Sequence, residues 1–360
     1  MNDTNPSSVK PNFPLKYLEI SGNPYDRGFE YGEKCKKAIS RFVDFLYAEF
    51  QKNESTKTEV IRTTKKYIPY IENYSSEIMD ELKGIAEGSE RSLEELVMIS
   101  LHEERMIFKR EGCTALAATG RATVDGETYV GQNWDEGTEM YWEGDMPFLL
   151  KIRRNTGPDI LAYAYPGMQS NAGMNSKGIC ISWNTVPRLE LKVGVPTYII
   201  ITDLLRQRTI GDAIDSILRA ERAGCFNFLI GDDTEIYDIE ATPRDVDILY
   251  SDLYIGHANH YISRKFATLQ DMSKIKAHTI IRHNRINRLL KEKCGSIDLE
   301  TCMDILRDHV NYPYSICSHP VTEIKKESLT WASWVQIPKK REWWIAHGPP
   351  CQNKAKKYSI

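Results

Sequence analysis

Between residues 24 and 110, apolar residues recur at mixed three- and four-residue spacings: Phe29, Tyr31, Ala38, Ile39, Phe42, Val43, Phe45 and Leu46 mark the first stretch. That is the period of a helix with one buried face. Asn23-Pro24 predicts where the first helix starts, and Ser92 followed by Glu95 predicts a capping box before Leu96-Val97-Met98-Ile99. The segment reads either as an α-helical cap or pro-segment, or as the first helical layer of a larger fold.

From residue 113 the pattern changes to short β-forming runs. Ala115–Ala118, Thr128–Gln132, Phe148–Arg153 and Ile160–Tyr165 are separated by Asp125-Gly126, Asn155-Thr156-Gly157 and Pro166-Gly167, and another strand follows at Gly178–Trp183. Two helices are predicted within 199–223, with Thr209 capping the second and Gly224 stopping it. Strands at Cys225–Ile230, Glu235–Glu240 and Leu253–Gly256 come next, then helices at 277–293 and 298–309. A hairpin of Leu329–Ile337 and Glu342–Ala346 closes the series. Strand runs interleaved with helix pairs, without strict βαβ alternation, predict an α+β fold: a four-layer αββα sandwich of two largely antiparallel sheets. No fixed-period repeat or long linker divides it, so it reads as one integrated domain.

Composition narrows the classes. The chain has 360 residues, of which 41% are hydrophobic and 27% charged, as expected of a globular protein with a sizeable core. A formal charge of −3 gives no general reason to bind nucleic acid or an anionic membrane. The polar start, Met1-Asn2-Asp3-Thr4, lacks the features of a secretory signal, and no run has the length of a membrane span; the expectation is a cytoplasmic protein. The eight cysteines show neither C-x-x-C pairs nor an H-x₃₋₅-H companion, so no metal site is predicted and most read as buried small hydrophobes.

The chemistry concentrates at the seam Gly112-Cys113-Thr114, where the charged helical stretch ending Phe108-Lys109-Arg110-Glu111 gives way to small and β-forming residues. Cutting the Gly112–Cys113 bond would leave one residue with two catalytic groups: a thiol, and an α-amine with a reference pKa of about 7.7–8.0. Gly131-Gln132-Asn133-Trp134-Asp135 ends the next strand, where Asp135 can accept hydrogen bonds from an ammonium. The turn-rich Asn171–Gly178 run offers backbone N–H groups to an oxyanion, or is a plain hairpin loop. His257-Ala258-Asn259-His260 holds both an amide donor and the residue types of a Cys-His-Asn site, which keeps a papain-like reading open; Cys113 lacks the C-G-[SA]-C-[WY] surroundings of that class.

These strings, in order with Gly120-Arg121-Ala122-Thr123, Ser315-Ile316-Cys317-Ser318-His319 and Gly348-Pro349-Pro350-Cys351, resemble the acyl-coenzyme A:6-aminopenicillanic-acid acyltransferase family of N-terminal nucleophile hydrolases. The resemblance spans nearly the whole chain. It implies a precursor that cuts itself before Cys113, giving an α fragment of 112 residues and a β fragment of the remaining 248. On matching positions, Cys113 is the nucleophile and base, Asp135 holds its amine, Asn259 donates to the oxyanion and the Asn175 backbone supplies the other donor. Two departures stand out. Related bile-salt and penicillin V hydrolases carry an Arg where this chain has Gln132, so thiol tuning is assigned to Arg121, Arg264 or Lys326. The peroxisomal tail of the fungal penicillin-forming member is absent, so penicillin synthesis is not the expected role.

The expected activity is hydrolysis of small N-acylated amines, amino acids or peptides through a thioester, with no cofactor and with Trp134, Trp183, Trp331 and Trp334 as an acyl pocket. The alternatives are acyl transfer with acyl-CoA as co-substrate, and an unprocessed binding protein without catalysis. The expected partners are the small N-acyl substrate and the two fragments themselves.

Overall fold

A computed structural model describes residues 15–52, 55–106, 112–137, 146–324, 326 and 328–360; the stretch Phe108–Glu111 before the seam lies outside them. The first part runs β1 (Lys16–Gly22), α1 (Pro24–Gln51), α2 (Lys57–Lys65), α3 (Ile68–Tyr74), α4 (Ser76–Ser89), α5 (Leu93–Ser100) and α6 (His102–Met106). After the seam come β2 (Thr114–Ala118), β3 (Tyr129–Gly137), β4 (Phe148–Arg154), β5 (Ile160–Ala164), β6 (Ala172–Asn175) and β7 (Cys180–Thr185). Then follow α7 (Thr197–Leu204), α8 (Ile210–Leu218), β8 (Phe226–Gly231), β9 (Ile236–Ala241), β10 (Val246–Tyr250) and β11 (Tyr254–His257). The last elements are α9 (Arg264–Ala267), α10 (Ala277–Glu292), α11 (Leu299–Leu306), β12 (Ser328–Ile337), β13 (Glu342–His347) and β14 (Lys356–Ser359).

The strands form two sheets, eight-stranded in the order β1-β4-β5-β6-β7-β8-β9-β10 and six-stranded in the order β11-β2-β3-β12-β13-β14. Among the described residues, these strands pair antiparallel except β1 with β4. Strand β2 shows how the layers arise. Its side chains alternate, Ala115 and Ala117 packing into the core between the sheets while Leu116 and Ala118 meet Ile286 and Leu290 of α10 and Met303 and Leu306 of α11. Helices α1, α4, α5 and α7 cover the other sheet, which makes the fold the αββα sandwich expected. Buried on both faces, the central strands read as nearly continuous apolar runs, Phe148-Leu149-Leu150 being one.

The caps behave as their chemistry dictates. The Asn23 side chain accepts the Asp26 N–H at 3.0 Å, Ser92 and Glu95 form the reciprocal capping box, and the Thr209 hydroxyl accepts the Asp212 N–H at 3.2 Å. Gly224 is not the helix stop expected of it, because α8 already ends at Leu218. The part before Gly112 is not wholly helical either: β1 joins the eight-stranded sheet beside β4. Helices α1 and α4 cross closely because Gly28 and Gly84 face each other's backbone; a Cβ on either would strike the carbonyl of Glu81 or Tyr25.

Among the described residues, no helix is long and apolar enough to cross a membrane.

Candidate active site

Cys113 immediately precedes β2, 4% exposed, where the starts of β2 and α10 meet the ends of β3, β7 and β11. Burial pushes its thiol well above the ordinary cysteine range, and the Asp135 carboxylate adds to the rise; a main-chain hydrogen bond from Asp135 and the charge of Arg282 oppose it. In the continuous chain, then, the sulfur is held as a thiol.

Asp135 lies on β3 opposite Thr330 of β12. Burial pushes its carboxyl up to about 7, against Arg282, the Thr330 hydroxyl, Lys326 and His319, all of which favour the carboxylate. Thr330 is oriented by two bonds: its hydroxyl donates to Asp135 Oδ1 at 2.7 Å and accepts the Ser318 N–H at 2.9 Å. A β-bulge makes this pairing possible. Thr330 sits opposite Asp135 and Ala332 opposite Trp134, so Trp331 is one residue extra on β12.

Asn259 follows β11. Its Nδ2 donates to the carbonyl and hydroxyl of Thr185 at 3.0 and 3.1 Å, its Oδ1 accepts from Arg282 Nη2 at 2.8 Å, and its N–H donates to Thr279 Oγ1 at 2.7 Å. This fixed amide faces Gly112. A Cβ built on Gly112 would lie 2.7 Å from Asn259 Nδ2 and 3.0 Å from both Cγ and Oδ1. The residue before Cys113 therefore has room for no side chain.

Arg282, absent from the sequence expectations, links the parts. One guanidinium nitrogen donates to the Cys113 carbonyl and the Thr114 hydroxyl, both at 2.7 Å, and the other holds Asn259. Its position is legible in retrospect, because Thr279, Arg282, Ile286 and Leu290 are the buried residues of α10, at spacings of one helix face. The surrounding run of Arg and His reads as a solvated surface and conceals it.

Of the three cations assigned to thiol tuning, only Lys326 belongs here. It is buried, donates to Ser318 Oγ at 2.8 Å, and its charge reaches Asp135. The Arg121 side chain is 84% exposed and pairs with Asp252 beyond the far end of β2, and Arg264 is exposed on α9. Asn175 is likewise misplaced as an oxyanion donor. Its N–H already donates to the Ile179 carbonyl, its amide to the carbonyls of Leu205 and Gln207. The next residue, Ser176, meets Arg341 in the β12–β13 turn, at the opposite end of β12 from Thr330.

The histidines are engaged elsewhere. His257 Nδ1 lies 2.7 Å from the Ala258 carbonyl and Nε2 3.1 Å from Glu240 Oε1, whereas His260 Nδ1 meets Thr279 Oγ1 at 3.0 Å. Burial and the nearby His257 charge bring His260 down to about 4. Gln132 bridges the sheets by holding both the N–H and the carbonyl of Trp183.

The four tryptophans form core rather than an acyl pocket: Trp134 packs on Trp183 and Trp334 with centroids 5.0 and 6.4 Å apart, and Trp331 packs edge-on to Tyr165. The space beside Gly112 is a different one, a cavity of about 460 Å³ lined by Asn259, Thr185 and Arg282 and by the apolar Val186, Pro187 and Leu189.

A thiol, a carboxyl and a clamped amide gathered around the Gly112–Cys113 peptide are the kinds of group an acyl-transfer site uses. Residues 122–352 match the family model of acyl-coenzyme A:6-aminopenicillanic acid acyl-transferase. The chain belongs to that family of enzymes, whose chemistry is acyl transfer or amide hydrolysis. It is 25% identical over 311 residues to the 40 kDa form of acyl-coenzyme A:6-aminopenicillanic-acid-acyltransferase of Emericella nidulans, with 84% of each chain covered. Among solved structures it is similar to a mutant of the conjugated bile acid hydrolase from Clostridium perfringens, at a TM-score of 0.48 and 15% identity over 69% of this chain and 97% of that one. The penicillin V acylase of Agrobacterium tumefaciens gives a TM-score of 0.43 and 9% identity over 65% and 83% of the two chains.

Proposed function

We propose that the chain is the precursor of an N-terminal cysteine amidohydrolase that cuts its own Gly112–Cys113 bond and then cleaves small N-acylated amines, amino acids or peptides. The observation that carries this reading is the seating of Gly112 against the fixed amide of Asn259, with the Cys113 thiol next in the chain and the Asp135 carboxyl beside it.

In the uncut chain Cys113 has no amine, so the Asp135 carboxylate takes the thiol proton. The sulfur attacks the Gly112 carbonyl carbon, and Asn259 Nδ2, giving up its bond to the Thr185 hydroxyl, donates to the oxygen as it becomes negative. Collapse breaks the C–N bond, the proton on Asp135 passes to the departing Cys113 nitrogen, and Gly112 is left as a thioester. Water releases it as a carboxylate and frees the thiol. The new α-amine then takes over as base, with Asp135 as its counter-charge. Arg282 acts throughout by holding Asn259 Oδ1, which fixes the amide and polarises it as a donor. An incoming substrate places its acyl carbonyl where Gly112 was, with the apolar wall of the adjacent cavity beside it.

A second reading, acyl transfer from acyl-CoA, is favoured by the rim of the same cavity. Among the described residues, Arg188, Lys274 and Lys276 line it together with the carboxylate Asp271, a basic composition suited to an anionic donor. The activity for which the Emericella relative is named supports the same alternative.

The deciding experiment is the denaturing gel, intact mass and N-terminal sequence of purified protein. Two co-purifying fragments are expected, the larger beginning Cys-Thr-Ala, with Cys113→Ala remaining one chain. A cut elsewhere, or equal cutting of the Ala variant, would refute the proposal. An intact wild-type chain whose Cys113 reacts with no thiol reagent would instead mark a binding protein without catalysis. Acyl release to water against transfer to an added amine, with and without CoA, then separates the two enzymatic readings.

A further inference from the structure

On either side of Ser318, whose N–H bonds Thr330, and on two neighbouring loops, four side chains from three separate parts of the sequence meet. His309 follows α11, Cys317 and His319 lie on the stretch leading to β12, and Cys351 comes just after β13; one ligand atom from each lies within 4.8 Å of the other three. The sulfurs of Cys317 and Cys351 are 3.6 Å apart, each is 3.4 Å from His319 Nε2, and His309 Nε2 is 3.1 Å from His319 Nε2. A tetrahedral zinc ion with bonds of about 2.3 Å to sulfur and about 2.0–2.1 Å to nitrogen requires separations of about 3.8 Å for S–S, about 3.6 Å for S–N and about 3.3 Å for N–N. The four measured separations each fall within about 0.2 Å of that figure.

Hydrogen bonding alone does not account for the arrangement. The ring nitrogen His319 Nε2 has either one proton or one lone pair, yet two sulfurs and another ring nitrogen converge on it. One cation at the centre satisfies all four ligands at once.

We propose that His309, Cys317, His319 and Cys351 bind one Zn²⁺ in a closed, structural Cys₂His₂ site. Binding sends the two thiol protons to solvent, and the resulting thiolates neutralise the ion's charge. Cys317 and His319 are buried, whereas His309 and Cys351 are exposed and give the ion its access. The site fastens the stretch that carries Ser318, whose N–H orients the Thr330 hydroxyl, and Ile316, whose carbonyl accepts from Asn133 at 2.8 Å. Zinc is thus a brace behind the β3–β12 pairing and touches no reacting atom.

The proposal stands or falls independently of self-cleavage. Full-length protein, purified under reducing conditions without a metal-affinity tag, is expected to contain about one zinc per chain by elemental analysis. Chelator-stripped protein given Co²⁺ should show the visible bands of four-coordinate cobalt and near-ultraviolet sulfur-to-metal charge transfer. Cys351→Ser and His309→Ala change the exposed side of the cluster, where folding is least at risk, and should each weaken zinc binding by about tenfold or more in competition with a chromophoric chelator. Cys294→Ser, at an exposed cysteine outside the cluster, should bind as wild type does. Reduced protein that takes up neither ion overturns the proposal, as does zinc binding unchanged in both ligand variants. A Cys317–Cys351 disulfide in protein that stays metal-free after reduction would replace it.

Discussion

Gly112→Ala puts the proposed chemistry under the most direct strain. The added methyl would sit 2.7 Å from Asn259 Nδ2, which is 0.7 Å inside the 3.4 Å where ordinary contact begins. Asn259 cannot give way freely, because Thr185 holds its Nδ2 and Arg282 its Oδ1. Relief means losing one or two of these bonds, at about 1 kcal/mol each, or moving the scissile carbonyl off the donor. A displacement approaching 1 Å at a reacting centre costs about 10²-fold, similar to the loss of one oxyanion donor. Self-cleavage should therefore slow by about a hundredfold, read as a time course of intact mass on freshly purified precursor. The fragment beginning at Cys113 is unchanged in sequence, so once formed its kcat should stay within about threefold of wild type. A double-mutant cycle sharpens the test: Asn259→Ala alone should be slow, and adding Gly112→Ala should slow it little further, because the group it strikes has gone. Cleavage of Gly112→Ala at the wild-type rate would refute the placement of Asn259 beside the scissile carbonyl.

Asn259→Asp exchanges a donor for a carboxylate beside the developing negative charge; kcat should fall by about a hundredfold or more in protein with a confirmed Cys113 terminus, and near-normal kcat would remove Asn259 from the mechanism. Asp135, pushed up to about 7, is protonated below that pH and ionised above it. If its carboxylate takes the thiol proton, the self-cleavage rate rises with pH through about 7 and levels off above, while Asp135→Asn is slow and lacks the step; the same step in that variant would assign the titration elsewhere. Arg282→Lys cannot reproduce a fork that serves the Cys113 carbonyl, Thr114 and Asn259 together, and should lower stability by about 1–3 kcal/mol in denaturant titration while slowing self-cleavage; an unchanged midpoint and rate would deny it the linking role.

The layers were legible because periodicity reports burial directly. The helical period of Tyr31, Ala38, Ile39, Phe42, Val43 and Leu46 marked the buried face of α1, and the Asn23, Ser92 and Thr209 caps marked helix starts within a residue. Strand β6 was hidden among the turn formers of Asn171–Gly178, and β10 and β14 are short, partly exposed edge strands whose pairing comes from their neighbours rather than from their own pattern. The site divides the same way. Cys113, Asp135 and Asn259 lie at strand ends that a sequence can mark, whereas Arg282 and the Thr330 bulge depend on the packing of α10 and β12 against them. The tryptophans misled because a large aromatic on a strand reads alike in a pocket and in a core. The His309–Cys351 cluster was missed because its ligands come from distant loops at none of the usual zinc spacings.

Strand β1, N-terminal to the proposed cut, lies at the edge of a sheet whose other strands all follow it, and α1, α4 and α5 share one core with that sheet. Severing the chain at Gly112 would leave every one of these contacts in place while abolishing the tether that first brought them together. Reassembly from separated pieces would then depend on concentration, and each piece alone would present bare apolar surface to other molecules. The mature protein would hold an arrangement inherited from its precursor, and heating it past its transition would be a one-way event where heating the uncut Cys113→Ala chain need not be.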